Sequence, residues 1–136
     1  MTSLLKEVVN TGTARKAKTL KRSDIAGKTG TTNDLVDAWF AGFNPDIVTI
    51  TWMGFDQPRT LGKYESGSRA ALPIWIDYMK PIIKEYPIKI LETPDGIIPL
   101  RINPKNGMLA DKDEDGIYEY FYDEFLPDSN AYFLLN

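Results

Sequence analysis

Two apolar stretches, residues 38–43 and 47–54, are joined by Asn44-Pro45-Asp46, and nothing else in the chain limits its fold as tightly. Strand-forming residues on either side of a Pro- and Asn-containing turn predict an antiparallel hairpin. Alternation puts Trp39, Ala41 and Phe43 on one face of the first strand and Ala38, Phe40 and Gly42 on the other. In the second strand Val48, Ile50 and Trp52 oppose Ile47, Thr49, Thr51 and Met53. Apolar groups on both faces predict a sheet covered on both sides. One cover is visible in residues 68–86, where Leu72, Trp75, Ile76, Met79, Ile82 and Ile83 recur at helical spacing. Pro73 suits a first turn, whereas Pro81 is expected to end or kink the helix near Met79.

Other segments complete an α+β reading. Met1, Leu4, Leu5, Val8 and Val9 form an apolar stripe that predicts a short helix over residues 2–10, with Gly12 as a stop. Residues 15–22 are basic and polar and read as a connection; residues 24–32 read as a further strand. From residue 87 the pattern changes to short apolar pieces, 88–91 and 97–102, between turns such as Pro94-Asp95-Gly96 and Asn106-Gly107. The expected organisation is an antiparallel sheet with flanking helices over residues 1–86, then a small hairpin-rich extension over 87–136.

Composition narrows the function. A net charge of −3 with scattered Lys and Arg gives no basic stripe, so no nucleic-acid partner is expected. No run reaches the roughly 18 apolar residues of a membrane span, and the start lacks signal-peptide order, so the segment itself is expected to be soluble. The absence of Cys excludes disulfides and thiolate metal sites, and the absence of His removes the commonest general base and metal ligand. Residues 111–116 copy the first half of a calcium loop, but the twelfth position is Tyr122 rather than a bidentate Glu. An exposed acidic turn is expected there, and no metal or cofactor. Tyr118, Tyr120, Phe121, Tyr122 and Phe125 lack interleaved cations, which favours a packed strand over a base-stacking platform.

One segment reads as chemistry. Lys28-Thr29-Gly30-Thr31-Thr32 places a cation, hydroxyls and a side-chain-free backbone on one strand, a cradle for a carboxylate. Lys-Thr-Gly is also the third motif of serine penicillin-binding enzymes, after Ser-x-x-Lys and a Ser-x-Asn-type triplet. Taken alone it equally describes a solvated edge strand, Lys being a common edge protector. Its setting is more specific. Met1-Thr2-Ser3-Leu4-Leu5, residues 27–34, Asp37-Ala38-Trp39-Phe40-Ala41-Gly42-Phe43, Trp52-Met53-Gly54-Phe55-Asp56 and Ala70-Ala71-Leu72-Pro73-Ile74-Trp75 stand in one order. Over residues 1–86 these blocks resemble the C-terminal part of the transpeptidase domain of class A (bifunctional) penicillin-binding proteins, with a weaker match beyond.

The resemblance implies a fragment of the β-lactamase/transpeptidase-like fold and assigns roles. Lys28 would bind the substrate's terminal carboxylate and polarise the Ser-x-Asn serine; Thr29 and Thr31 would donate hydroxyl hydrogen bonds to that carboxylate. The Thr31 N–H would form half of the oxyanion hole, and Gly30 would let the acyl-donor peptide lie along the strand edge. Arg69 and Asp56 fall near this surface without an assigned role. Partners would be peptidoglycan stem peptides and β-lactams in the intact parent, together with that parent's N-terminal part. The parent would be anchored in the bacterial cytoplasmic membrane, with this region on the periplasmic or extracellular side.

The departures matter equally. Ser3-Leu4-Leu5-Lys6 satisfies Ser-x-x-Lys literally, yet it lies on the apolar-striped helix and reads as structural; Ser129-Asn130 lacks the middle residue of Ser-x-Asn. The nucleophile is therefore expected to be absent and the segment inactive. Alternatives are a serine β-lactamase or D,D-carboxypeptidase fragment of the same fold, or a non-catalytic interaction module using an exposed sheet edge, which also makes self-association an expectation.

Overall fold

The computed structural model describes residues 1–127; residues 128–136, the end of the expected extension including Ser129-Asn130, lie outside the described residues. The chain divides into a unit over residues 1–90 and a second over 91–136.

In the first unit, helix α1 spans Thr2–Asn10 and strand β1 spans Ala26–Thr31. The hairpin expected from the alternation follows as β2, Ala38–Phe43, and β3, Val48–Met53, in an antiparallel sheet of order β1-β2-β3. Asn44 makes the turn: its side-chain oxygen accepts the Asp46 and Ile47 N–H groups at 3.3 and 2.8 Å. Asp46 also pairs with Lys89.

Cross-strand partners share a face, so Ala38, Phe40, Thr51, Thr49, Thr29 and Thr31 lie together. That face receives helix α2, Leu72–Ile82, preceded by a π-turn at Gly67–Ala71 and followed by a 3-10 turn at Ile83–Glu85. Trp75 packs edge-on to Phe40 with ring centroids 5.1 Å apart, and its indole N–H donates to the Thr49 carbonyl at 3.0 Å. Gly42 makes room, since a Cβ there would meet the rings of Phe40 and Trp75 at 2.6 Å. Thr51 donates to the Ala71 carbonyl at 3.0 Å, fixing the join between turn and helix. Pro81 lies inside α2 but on its exposed side, where the helix carbonyl left without its N–H donor is open to solvent, and the helix ends one residue later.

Three sequence expectations need correction. The sheet is covered on one face only among the described residues: on the other, Val48 is 72% exposed, Ile50 60%, Trp52 46% and Trp39 43%. Residues 15–22 are more than a connection, because Arg15–Leu20 forms a 3-10 helix that buries Ala17, with Ala14 buried just before it. Likewise α1 covers its sheet only with the end of its stripe, for Val9 is buried while Met1 and Leu4 are exposed.

In the second unit, β4, Ile97–Ile102, pairs antiparallel with β5, Ile117–Tyr122; the apolar run 88–91 is not a strand. Arg101 fills the bend that copied a calcium loop, donating to the carbonyls of Asp111, at 2.7 Å, and of Glu114. The aromatics of β5 alternate, with Phe121 half-buried and Tyr118, Tyr120 and Tyr122 exposed.

Candidate functional site

β1 has one neighbour, β2, and so presents an open edge among the described residues. Which groups reach that edge follows from the ladder. The Thr32 N–H donates to the Asp37 carbonyl at 3.1 Å, toward β2, and successive residues of a strand turn their backbone groups to opposite sides. The Thr31 N–H therefore points to the open edge, as does the Thr29 carbonyl, which accepts the Lys28 ammonium at 2.7 Å.

Side chains divide by face. Thr29 and Thr31 pair with Phe40 and Ala38 on the helix-covered face, while Lys28 and Gly30 pair with Ala41 and Trp39 on the uncovered one. The hydroxyls of Thr29 and Thr31 are brought together; the Lys28 ammonium is not on their face and meets them only around the open edge. Gly30 lacks a Cβ that would come within 3.2 Å of the Trp39 Cβ, so its smallness serves the uncovered face.

Neighbours that sequence reasoning missed set both hydroxyls. Thr13, in the loop after α1, shares a hydrogen bond with Thr29, Oγ1 to Oγ1, at 2.8 Å. The Gly67 N–H donates to Thr31 Oγ1 at 2.9 Å, so the Thr31 proton is free to be donated elsewhere. Gly67 reaches that position because it has no side chain: a Cβ would press on the carbonyl oxygens of Trp39 and Gly30. Its place between two serines just before an apolar helical run was the available signal. Thr13 offered none, since beyond the Gly12 stop it is one polar residue in a loop without a motif.

The C-terminal end of the strand is pinned as well. Thr32 Oγ1 accepts the N–H groups of Val36 and Asp37 at 3.0 and 2.9 Å, closing the β1–β2 loop. Asp37 in turn accepts the Trp52 indole N–H at 2.8 Å. On the α1 helix, Ser3 makes no hydrogen bond to Lys6 among the described residues, and no helix there is long and apolar enough to cross a membrane. No group of three or more acidic side chains is placed to hold a metal among them.

No family model matches the sequence. Penicillin-binding protein 1A of Pseudomonas aeruginosa is 52% identical over 130 residues, 95% of this chain and 16% of that protein. Its namesake from Aquifex aeolicus is 54% identical over 114 residues, 84% of this chain and 16% of that protein. The crystal structure of penicillin-binding protein 1A from Haemophilus influenzae matches 93% of the chain at 38% identity with a TM-score of 0.85. The chain belongs to the penicillin-binding protein 1A family. It spans 16% of the length of those two curated relatives and 20% of the Haemophilus structure. Agreement with a solved penicillin-binding protein 1A over nearly the whole chain also fixes the fold class, an α+β arrangement of antiparallel sheets and flanking helices.

Proposed function

We propose that this segment is the carboxylate-binding wall of a peptidoglycan D,D-transpeptidase, a serine acyl-enzyme that β-lactams inhibit. The observation that carries the reading is the open edge of β1, with the Thr31 N–H directed outward beside the Thr29 and Thr31 hydroxyls. An acyl-donor peptide laid along that edge places its terminal carboxylate against Thr29, Thr31 and the Lys28 ammonium. Its scissile carbonyl then meets the Thr31 N–H, one of two donors in an oxyanion hole, where removal of a single donor costs about 3–4 kcal/mol. The second donor and the nucleophilic serine belong to the parent's N-terminal part. That parent is membrane-anchored with this region outside the cytoplasm, and its substrates are stem peptides. Where the N-terminal part is absent, the uncovered sheet face and open edges favour self-association.

A serine β-lactamase or carboxypeptidase origin is disfavoured by the penicillin-binding protein 1A relatives at about half identity. A fluorescent penicillin added to the chain tests the division of labour: cradle and half an oxyanion hole bind but form no bond, so no covalent label is expected. A label abolished by Ser3→Ala would overturn it, showing that Ser3 and Lys6 are a working nucleophile and base.

A further inference from the structure

Beside the Thr13 and Thr29 hydroxyls lies a cavity of about 200 Å³ lined by Gly12, Thr13, Arg15, Lys16, Ser68 and Arg69. Three cations border it, and none makes an ion pair among the described residues, where the only pairs are Arg22 with Asp24 and Lys89 with Asp46. Their positions are set by buried neighbours. Ala14 and Ala17 anchor the turn that carries Arg15 and Lys16, and Gly67, wedged on the β1–β2 backbone, fixes Ser68 and Arg69. All three cations are exposed, so water screens their mutual repulsion, and an anion entering between them would gain charge-assisted hydrogen bonds from more than one of them. The hydroxyls add one donor between the two sites: Thr13 and Thr29 share one hydrogen bond, so a single proton remains, given to an anion in the cavity through Thr13 or to the terminal carboxylate through Thr29. With a water's share of liquid volume at roughly 30 Å³, the cavity holds a carboxylate and its adjoining carbon with room for solvent.

We propose that Arg15, Lys16 and Arg69, with the Thr13–Thr29 hydroxyl pair, form a second anion subsite that takes a further carboxylate of a ligand whose terminal carboxylate is held at Thr29 and Thr31. This rests on the carboxylate-wall reading of β1 and deepens it. The edge of β1 orients a peptide by its end, and the basic cavity selects peptides bearing a second acidic group. The ligand class is a dicarboxylate, and no bond is made or broken there.

The test is an NMR titration of the isotopically labelled chain with acetate, glutarate and inorganic phosphate at fixed ionic strength. Glutarate is expected to bind about tenfold more tightly than acetate, with amide shifts at Thr13, Thr29, Ser68 and Arg69. Arg69→Gln and, separately, Lys16→Gln should each shrink that preference while leaving circular dichroism unchanged. Equal affinity for glutarate and acetate overturns the subsite, as does phosphate binding as tightly as glutarate, which marks a site indifferent to anion type. So does a preference that survives both substitutions. The underlying reading fails by a different signature: acylation of the intact parent by a β-lactam with a single carboxylate that ignores Lys28→Ala.

Discussion

Arg22 uses all five of its N–H donors: two on the Asp24 carboxylate at 2.8 and 2.6 Å, and three on the carbonyls of Ile83, Tyr86 and Pro87 at 3.2, 2.7 and 3.0 Å. Asp24, almost wholly buried, also accepts the Lys89 N–H at 3.3 Å, so one ion pair ties the approach to β1 to the chain leaving α2. Burial pushes the Asp24 carboxyl upward, but the Arg22 hydrogen bonds, the Lys89 N–H and the guanidinium charge outweigh it and hold the group below the ordinary carboxylate range. The Asp24 bond in turn raises Arg22 against its own desolvation. A depressed carboxyl contributes stability above its unfolded value of about 3.9, and that contribution is lost as the pH falls through the folded value. Asp24→Asn should thus destabilise at neutral pH by about 3–5 kcal/mol, the usual cost of orphaning a buried ion-pair partner, and flatten the decline in stability below about pH 4. Urea unfolding at pH 7 and pH 3 checks both; parallel pH profiles for the two proteins would refute the assignment. Nothing in the sequence marked this pair as buried, because Asp24 read as a strand residue and the backbone groups that complete its surroundings lie more than 60 positions away.

At the scale of elements, periodicity carried far. α1, the hairpin and α2 stand where alternation and helical spacing put them, although α1 buries only the end of its stripe. It failed where burial is irregular. The 3-10 turn at Arg15–Leu20 hides Ala17 among basic residues, and the run 88–91 is apolar without a partner strand. The π-turn Gly67–Ala71 shows why the strand motif alone was an incomplete description of the site: the hydroxyl of Thr31 is set by a backbone N–H 36 residues later. Gly67→Ala puts a methyl group against two carbonyl oxygens, so it should destabilise by about 1–3 kcal/mol and displace the turn from Thr31. Denaturant midpoints with NMR shifts at Thr31 are the measurement, and a midpoint equal to the wild type with an unmoved Thr31 would contradict this packing.

For the whole molecule, the two-faced apolar pattern of β2 and β3 was legible, yet the second cover was not among the described residues. Val48, Ile50, Trp39 and Trp52 are left on an exposed face between two open strand edges. Such a surface is a template for another chain. The chain should self-associate at micromolar concentration, burying more than roughly 1,000 Å² if the contact is specific. Sedimentation velocity reads this directly, and Ile50→Lys should restore a monomer; a wild-type monomer at all concentrations would sink the idea. The central claim, that β1 is the carboxylate-binding wall of a transpeptidase, is tested most directly by the acylation rate of the intact parent with Lys28→Ala. Loss of a charge-assisted contact worth about 1.5–3 kcal/mol predicts a fall of roughly 10- to 150-fold with the melting temperature nearly unchanged. An acylation rate equal to that of the wild type would contradict it.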